Sequence, residues 1–322
     1  MLRKAGLMLL CGCALTATGA AWAQVKYPER PIRLVAPFPP GGSVDVTARL
    51  VGPKMSESIG QQVIIDNRSG ASGIVGTSAV ARAEPDGYTI LINTTPMVTN
   101  TQMYKKVPYD LKRDFEPVIL LSSTPSVLSV HPSIPVRSIQ DMIKLAKARP
   151  GELNYGGAGV GTNPHIAGEL FNLLAGTNIV AVQFKGGGPA LVGALSGEVG
   201  VSFSAVAGAV GYMKSNRLRP LGVTSLKPVK ALPTVPTIAS VLPGYEFTAW
   251  FAVVAPKGTK PDIINKLNAE FSKAMSSPDF VKRFEAEGLE VIGSTPAQLA
   301  AHLDAELKKW ERVIKERKMR AD

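Results

Sequence analysis

Short apolar runs of strand length alternate with helix-length segments along this chain, and that alternation constrains its fold more than any other feature. Ile32 to Phe38 reads as a buried strand and about Val44 to Ile59 as a helix. Val63 to Asp66 (strand), about Ile74 to Ala83 (helix) and Tyr88 to Asn93 (strand) continue the series. Further on, Asn154 to Gly156, Val180 to Phe184, Val199 to Phe203 and Pro220 to Val223 read as strands. Helices fall at about Ile139 to Ala148, Pro164 to Ala175 and Ala207 to Lys214. Such alternation predicts parallel α/β sheets with crossover helices. Two longer apolar runs, Phe115 to Val130 and Tyr245 to Val254, do not fit one continuous sheet. They are proline-flanked and far apart in sequence, so they read as two crossings between lobes. The expected organisation is an α/β fold with residues 24–125 and 246–322 in a first lobe and 126–245 in a second. Helices near Asp262 to Met275 and Pro296 to Lys318 close the first lobe.

The first residues read as an address. Arg3 and Lys4 precede the apolar stretch Leu7 to Leu15, and Ala21-Trp22-Ala23 gives a small-x-small cleavage pattern before Gln24. The stretch is shorter than the ~20 residues of a membrane helix. Residues 1–23 are therefore expected to be an export leader, and the remaining 299 of 322 residues a soluble periplasmic protein. Cys11 and Cys13 both lie in the leader, which excludes disulfides and thiolate chemistry from the mature chain. Lipidation at Cys13 is the alternative, and it leaves Ala21-Trp22-Ala23 without a role. Removing Arg3 and Lys4 takes the formal net charge from +11 to +9, an excess that favours anionic partners. The densest basic run, Lys308 to Arg320, overlaps Leu303, Leu307, Trp310 and Ile314 at helical spacing. Its charges read as the outer face of an amphipathic helix. Export argues against nucleic acid as a partner.

Three glycine-rich loops share one design, a strand running into a Gly/Pro turn that opens a helix. They are Pro37-Phe38-Pro39-Pro40-Gly41-Gly42-Ser43, Gly156 to His165, and Phe184-Lys185-Gly186-Gly187-Gly188-Pro189. Glycine lets backbone amides approach a ligand, and a new helix presents unpaired N–H groups carrying partial positive charge. Ser43 and Thr162 are the expected N-caps, while Pro164 and Pro189 suit first turns. Any one such loop is ordinary turn chemistry. Together, one from the first lobe and two from the second, they would meet a ligand from both sides with helix ends suited to anions. Lys185 is the only basic residue in the three loops, and reads equally as a ligand partner or a solvated lysine.

Catalytic signatures are missing. There is no P-loop, Gly157-Ala-Gly159-Val-Gly161 has the wrong spacing for a dinucleotide fingerprint, and no Gly-x-Ser-x-Gly occurs. The three histidines, His131, His165 and His302, are scattered and form no zinc pair. His165, beside a glycine loop, is either a ligand contact or a surface residue. Asp45, Glu169 and Asp86 read as helix-terminus or turn carboxylates. No metal and no cofactor are expected.

These loops and their neighbours carry a family resemblance. Tyr27-Pro28-x-Arg30-Pro31-Ile32, Pro37-Phe38-Pro39-Pro40-Gly41-Gly42-x-x-Asp45, Asn67-Arg68-x-Gly70-Ala71-x-Gly73 and Pro85-Asp86-Gly87-Tyr88 are part of it. So are Gly161-Thr162-Asn163-Pro164-His165, Lys185-Gly186-Gly187-x-Pro189, Leu232-Pro233-x-Val235-Pro236-Thr237 and Gly293-Ser294-Thr295-Pro296. The chain resembles the tripartite tricarboxylate transporter substrate-binding receptors, the Bug family, over nearly all its mature length. The resemblance implies a two-lobed periplasmic binding protein of type II fold. A small carboxylate, such as a di- or tricarboxylate or an aromatic acid, is implied in its interlobe cleft. It further implies ligand contacts at Phe38, Pro40, Gly41, Gly42 and Ser43, opposed by Gly161, Thr162 and Asn163. Ser72, Thr94 and Thr95 follow first-lobe strands and complete the expected site, with His165, Lys185, Gly186 and Ser204. Many members carry Asp where this chain has Ser204. The implied partners are membrane subunits of a tripartite transporter or a sensor protein, with the receptor itself expected to be a monomer. An exported enzyme on a similar scaffold is the competing reading.

Overall fold

In the computed structural model, residues 27–317 and 319–320 are described; the expected leader lies outside them. The chain runs β1 (Ile32–Ala36), α1 (Ser43–Ile59), β2 (Val63–Asn67), α2 (Ile74–Ala81), β3 (Thr89–Asn93), α3 (Pro96–Met103), α4 (Leu111–Asp114) and β4 (Phe115–Val130). It continues α5 (Ile139–Ala148), β5 (Asn154–Gly157), α6 (Asn163–Ala175), β6 (Val180–Gln183), α7 (Gly187–Ser196), β7 (Val201–Ala205), α8 (Val206–Lys214) and β8 (Arg219–Val223). It ends β9 (Thr248–Pro256), α9 (Pro261–Met275), α10 (Pro278–Ala286), β10 (Glu290–Val291) and α11 (Pro296–Arg317).

The strands follow one hydrogen-bonded path, β2-β1-β3-β9-β4-β7-β5-β6, with β10 and β8 also pairing with β4. Two sheets share this path because β4 belongs to both. Its first part pairs with β9 and β10, and Ser126 to Val130 pair with β7 and β8. The crossings predicted to stand outside a continuous sheet therefore join the two sheets. They pair with each other, Phe115 opposite Pro256 and Pro125 opposite Thr248, which satisfies the backbone of both where they pass between lobes. The sheets are mixed rather than parallel. Pairs β1–β2, β1–β3, β5–β6 and β5–β7 are parallel, whereas every pair made by β4 or β9 is antiparallel.

Packing fixes the helices that begin at the lobe boundary. Tyr155 on β5 stacks edge-on against Phe203 of β7, which meets Phe171 of α6, which in turn meets Tyr245; all four are buried. Each fully buried aromatic contributes about 1.5–3 kcal/mol relative to exposure. A Cβ at Gly168 would lie 2.5 Å from the Tyr155 ring, so α6 can dock on β5 only with glycine there. The Tyr155 hydroxyl then bonds Glu169 at 3.1 Å. The long α11 is pinned similarly: Trp250 of β9 and Trp310 of α11 both donate to Glu306 Oε2, at 2.7 and 2.8 Å.

Candidate functional site

A cavity of about 60 Å³ lies between the lobes. Its walls include Phe38, Gly41, Gly42, Ser43, Thr94, Thr162, Asn163 and Ser204, eight of the residues expected from the sequence. The loop after β1 supplies the first four, the end of β3 supplies Thr94, the start of α6 supplies Thr162 and Asn163, and β7 supplies Ser204. Sequence reasoning did not place Val44, Pro96, Leu191, Ala205 or Gly208 in the site. They carry no chemical signal and are there because α1, α3, α7 and α8 all start at this point.

The other expected residues sit elsewhere. Ser72, Lys185 and Gly186 line a neighbouring chamber of about 610 Å³. Thr95 is buried beneath the start of α3 and lines neither space. Pro40 is exposed on the loop, with its carbonyl oxygen facing Gly188 across the boundary. Gly161 is bound from the opposite lobe, its carbonyl accepting the Thr99 hydroxyl at 2.7 Å. His165 is half-buried and outside the lining; its Nδ1 accepts the Gly161 amide at 3.2 Å. Burial pushes the His165 pKa below its ordinary value, against the pull of Glu169.

Three of the helices that start at the cavity lack a side-chain cap. Helices α1, α6 and α7 begin on Gly42, Thr162 and Gly186, and none of these caps its helix through a side chain. Ser43, the expected cap, is instead the first helical residue, because Gly42 already has the extended cap geometry. Thr162 is a cap by position, but its hydroxyl donates to the Gly159 carbonyl at 2.6 Å instead of receiving a helix amide. Away from the cavity, α4, α5 and α10 are capped by Asp110, Ser138 and Ser277, and α11 by Thr295. Helix α2, starting after Gly73, and α9 are also uncapped; α9 has Pro261 and α6 has Pro164 in the first turn, and neither proline has an N–H to offer. Amides of the first turn have no intrahelical partner, so the uncapped ends direct unsatisfied donors and partial positive charge at the cavity.

No charged side chain lines the cavity. Asp45 is the nearest carboxylate in sequence, and it is committed elsewhere. Its oxygens accept the Gly41 amide at 2.9 Å, the Arg49 guanidinium at 2.9 and 3.0 Å, and Asn67 at 3.0 Å. Burial pushes its carboxyl up, but these donors outweigh burial and hold it below the usual carboxylate range. Among the described residues no cluster of His, Cys, Asp or Glu could hold a metal. Such a cavity can hold an anion by backbone amides and hydroxyls, and it offers nothing to neutralise a cation.

A sequence profile of the tripartite tricarboxylate transporter family receptors matches residues 47–319. The chain belongs to this family. It is 41% identical over 319 residues to the UPF0065 protein of the tcbD–tcbE intergenic region of Pseudomonas sp. strain P51, covering 98% of this chain and 95% of that protein. It is 38% identical over 295 residues to BugT of Bordetella pertussis, covering 90% of each. Three solved structures agree in fold. Rpa4515 of R. palustris with adipate has a TM-score of 0.88 at 38% identity, covering 91% of this chain and 99% of that one. The periplasmic binding protein BugD has 0.87 at 30%, covering 91% and 99%. MatC (Rpa3494) of Rhodopseudomonas palustris with bound malate has 0.85 at 30%, covering 89% and 100%. This receptor accordingly has the periplasmic binding protein fold, and it is a solute-binding protein rather than an enzyme.

Proposed function

We propose that this receptor captures a small dicarboxylate between its lobes, one carboxylate received by the uncapped starts of α1, α6 and α7. The observation that carries the reading is a cavity walled by helix N-termini and hydroxyls with no charged side chain. Charge-assisted hydrogen bonds contribute about 1.5–3 kcal/mol each, so four to six reach the ~8 kcal/mol of micromolar binding after losses. Phe38, Gly42, Ser43, Thr94, Thr162, Asn163 and Ser204 are the residues assigned to ligand contact. Residues 24–125 with 246–322, and 126–245, are taken as the lobes. Two similar proteins were solved with adipate and with malate, which favours a dicarboxylate here. The leader over residues 1–23 would place the receptor in the periplasm, ready to hand its ligand to transporter membrane subunits or to a sensor. Titration calorimetry with adipate, malate, citrate and an aromatic dicarboxylate tests this: micromolar binding of at least one is expected. Heat from none of these acids, with a sugar or a peptide binding instead, defeats the reading.

A further inference from the structure

The two lobes carry their charge differently. Residues 126–245 hold ten lysines and arginines against four aspartates and glutamates. Among the described residues only Lys230 of these ten makes an ion pair, and its partner Glu285 belongs to the first lobe. The first lobe, by contrast, pairs Arg30 with Asp86, Arg33 and Arg68 with Asp66, and Arg49 with Asp45. The sheet of the second lobe gathers most of its excess at one end. There Val130 of β4 stands opposite Val201 of β7 and Arg219 of β8, Tyr155 of β5 opposite Val201, and Asn154 opposite Val180 of β6. The chain leaving and entering this end carries Arg137, Lys144, Lys147 and Arg149 on and around α5, and Lys214 and Arg217 between α8 and β8; all six are exposed. Arg219 is half-buried and committed to the carbonyls of Ile134 and Val136, both at 3.1 Å. Three exposed acids, Asp141, Glu152 and Glu198, stand among the six, so the pole stays positive. Two aliphatic side chains are exposed at the same end, Leu174 at 39% and Val180 at 43%. The Gly151 amide donates to the Asn178 carbonyl at 2.9 Å, which sets the turn after Arg149 against the segment between Leu174 and Val180. The cavity lies past the opposite ends of β5 and β7, at Ala158 and Ser204.

We propose that this pole of the second lobe is a peripheral membrane-binding surface for anionic phospholipid headgroups. Its lysines and arginines are spread over a helix and two connections, an arrangement that matches a field of headgroups rather than one bound group. Basic side chains held near an anionic bilayer add their attraction. Leu174 and Val180 supply aliphatic tips that enter the headgroup layer, and the methylene stems of Lys147 and Arg149 lie with them while their charges stay in water. Among the described residues no helix is long and apolar enough to cross a membrane, so the contact is peripheral. A bilayer at this pole leaves the interlobe cleft uncovered, because pole and cavity stand at opposite ends of the same strands.

Vesicle sedimentation tests this with the chain from Gln24 onward, which contains every described residue and lacks the apolar stretch Leu7 to Leu15 that could itself enter lipid. Wild type is expected to pellet with vesicles of phosphatidylcholine mixed with phosphatidylglycerol and to stay in solution beside phosphatidylcholine alone. Salt at about 0.5 M should release it, since the screening length then falls well below the reach of the surface charge. Each basic side chain near an anionic bilayer is worth about fivefold in partition, so Lys147→Gln, Arg149→Gln and Arg217→Gln combined should lower it by about 100-fold. Leu174→Gln with Val180→Thr should lower it several-fold and leave the salt dependence in place. A first-lobe triple with the same charge change, Lys266→Gln, Lys308→Gln and Lys315→Gln, should stay within a few-fold of wild type. All the substituted positions are exposed, so the variants are expected to fold, which circular dichroism checks. Equal loss in the two triples overturns the inference, because net charge rather than the pole would then be acting. Absence of wild-type binding to the anionic vesicles overturns it too, even where polyglutamate binds, a result that would mark the pole as a surface for an acidic protein.

Discussion

The Asp45 carboxylate accepts the Gly41 amide hydrogen at 2.9 Å, which removes Gly41 from the donors available to a ligand and ties the Pro-Pro-Gly-Gly loop to the helix it opens. Asp45 is 3% exposed, and its other bonds go to Arg49 and Asn67. A buried acid at the N-terminus of α1 thus fixes the loop while facing away from the cavity. Asp45→Ala should lower stability by about 1–3 kcal/mol, the cost of leaving buried donors unpaired. It should also weaken ligand binding, because the loop loses its tether. Asp45→Asn keeps an acceptor and removes a negative charge near the anion site, so it should bind at least as tightly as wild type. Chemical denaturation and calorimetry on both variants check the pair. The wild-type carboxyl sits below its unfolded value, so its contribution is present above about pH 4 and lost as pH falls below that.

Gly42 and Gly161 should respond differently to valine. Gly42 has an ordinary φ of −79°, and an added Cβ would meet Pro39 O at 3.6 Å and Gly188 N at 4.0 Å. Gly42→Val should fold normally and lose binding, since its methyls enter the space between the lobes. Gly161 has φ +78°, and its Cβ would lie 3.0 Å from Met103 Sδ. Gly161→Val should lose binding and also about 1–2 kcal/mol of stability from the left-handed conformation. Thermal melts beside calorimetry separate the two effects.

His165 makes the second-lobe loop sensitive to acid. Its folded pKa is lowered by burial, so the unfolded chain takes up the proton first as pH falls below about 6.5. Stability from this group is complete above that pH and declines below it. Protonation also ends the ability of Nδ1 to accept the Gly161 amide. His302 is partly buried, has a lowered pKa as well and contributes to the same slope. The melting temperature of wild type should therefore fall more steeply from pH 7 to 5 than that of His165→Asn. Parallel curves would show that the Gly161 contact is indifferent to charge.

Closure of the lobes should be held by a few cross-boundary bonds. Thr99 donates to Gly161 O at 2.7 Å, Asn163 donates to Thr94 Oγ1 at 3.1 Å, and Lys230 pairs with Glu285 at 2.6 Å. Small-angle scattering should show a smaller radius of gyration with saturating ligand than without. Thr99→Val should reduce that difference and raise the ligand dissociation rate several-fold. Identical scattering curves for free and bound wild type would indicate a preformed cleft.

Ser204 bears on ligand class. It faces the cavity with a hydroxyl bonded to Ser202 Oγ at 2.6 Å, and no carboxylate stands beside it. An ammonium buried there would go unneutralised, which is costly. Aspartate and glutamate should bind at least tenfold more weakly than the preferred dicarboxylate, and Ser204→Asp should narrow or reverse that preference. Tighter binding of glutamate by wild type would mean that another group holds the ammonium.

The sequence by itself determined the periodic elements and the loops. Apolar runs such as Ile32 to Ala36 and the Gly-Pro turns act through neighbouring backbone, so their effects are legible locally. The same holds for β4, whose apolar run matches the observed strand from Phe115 to Val130. What tertiary structure decided is which donors remain free and which residues share a wall. Gly41 and Gly42 are chemically alike in sequence, yet only the fold brings Asp45 onto one amide and leaves the other helix donors facing the cleft. His165 stands in a ligand-like motif but is turned behind Gly161 by the packing of α6 on Tyr155. Leu191 and Gly208 carry no local signal at all and enter the cavity wall because α7 and α8 begin there. Phe38 and Ala158 line both the cavity and the neighbouring chamber, although they stand 120 positions apart in the chain. Local periodicity cannot specify such a shared lining, because the packing of both lobes on the shared strands β4 and β9 sets it.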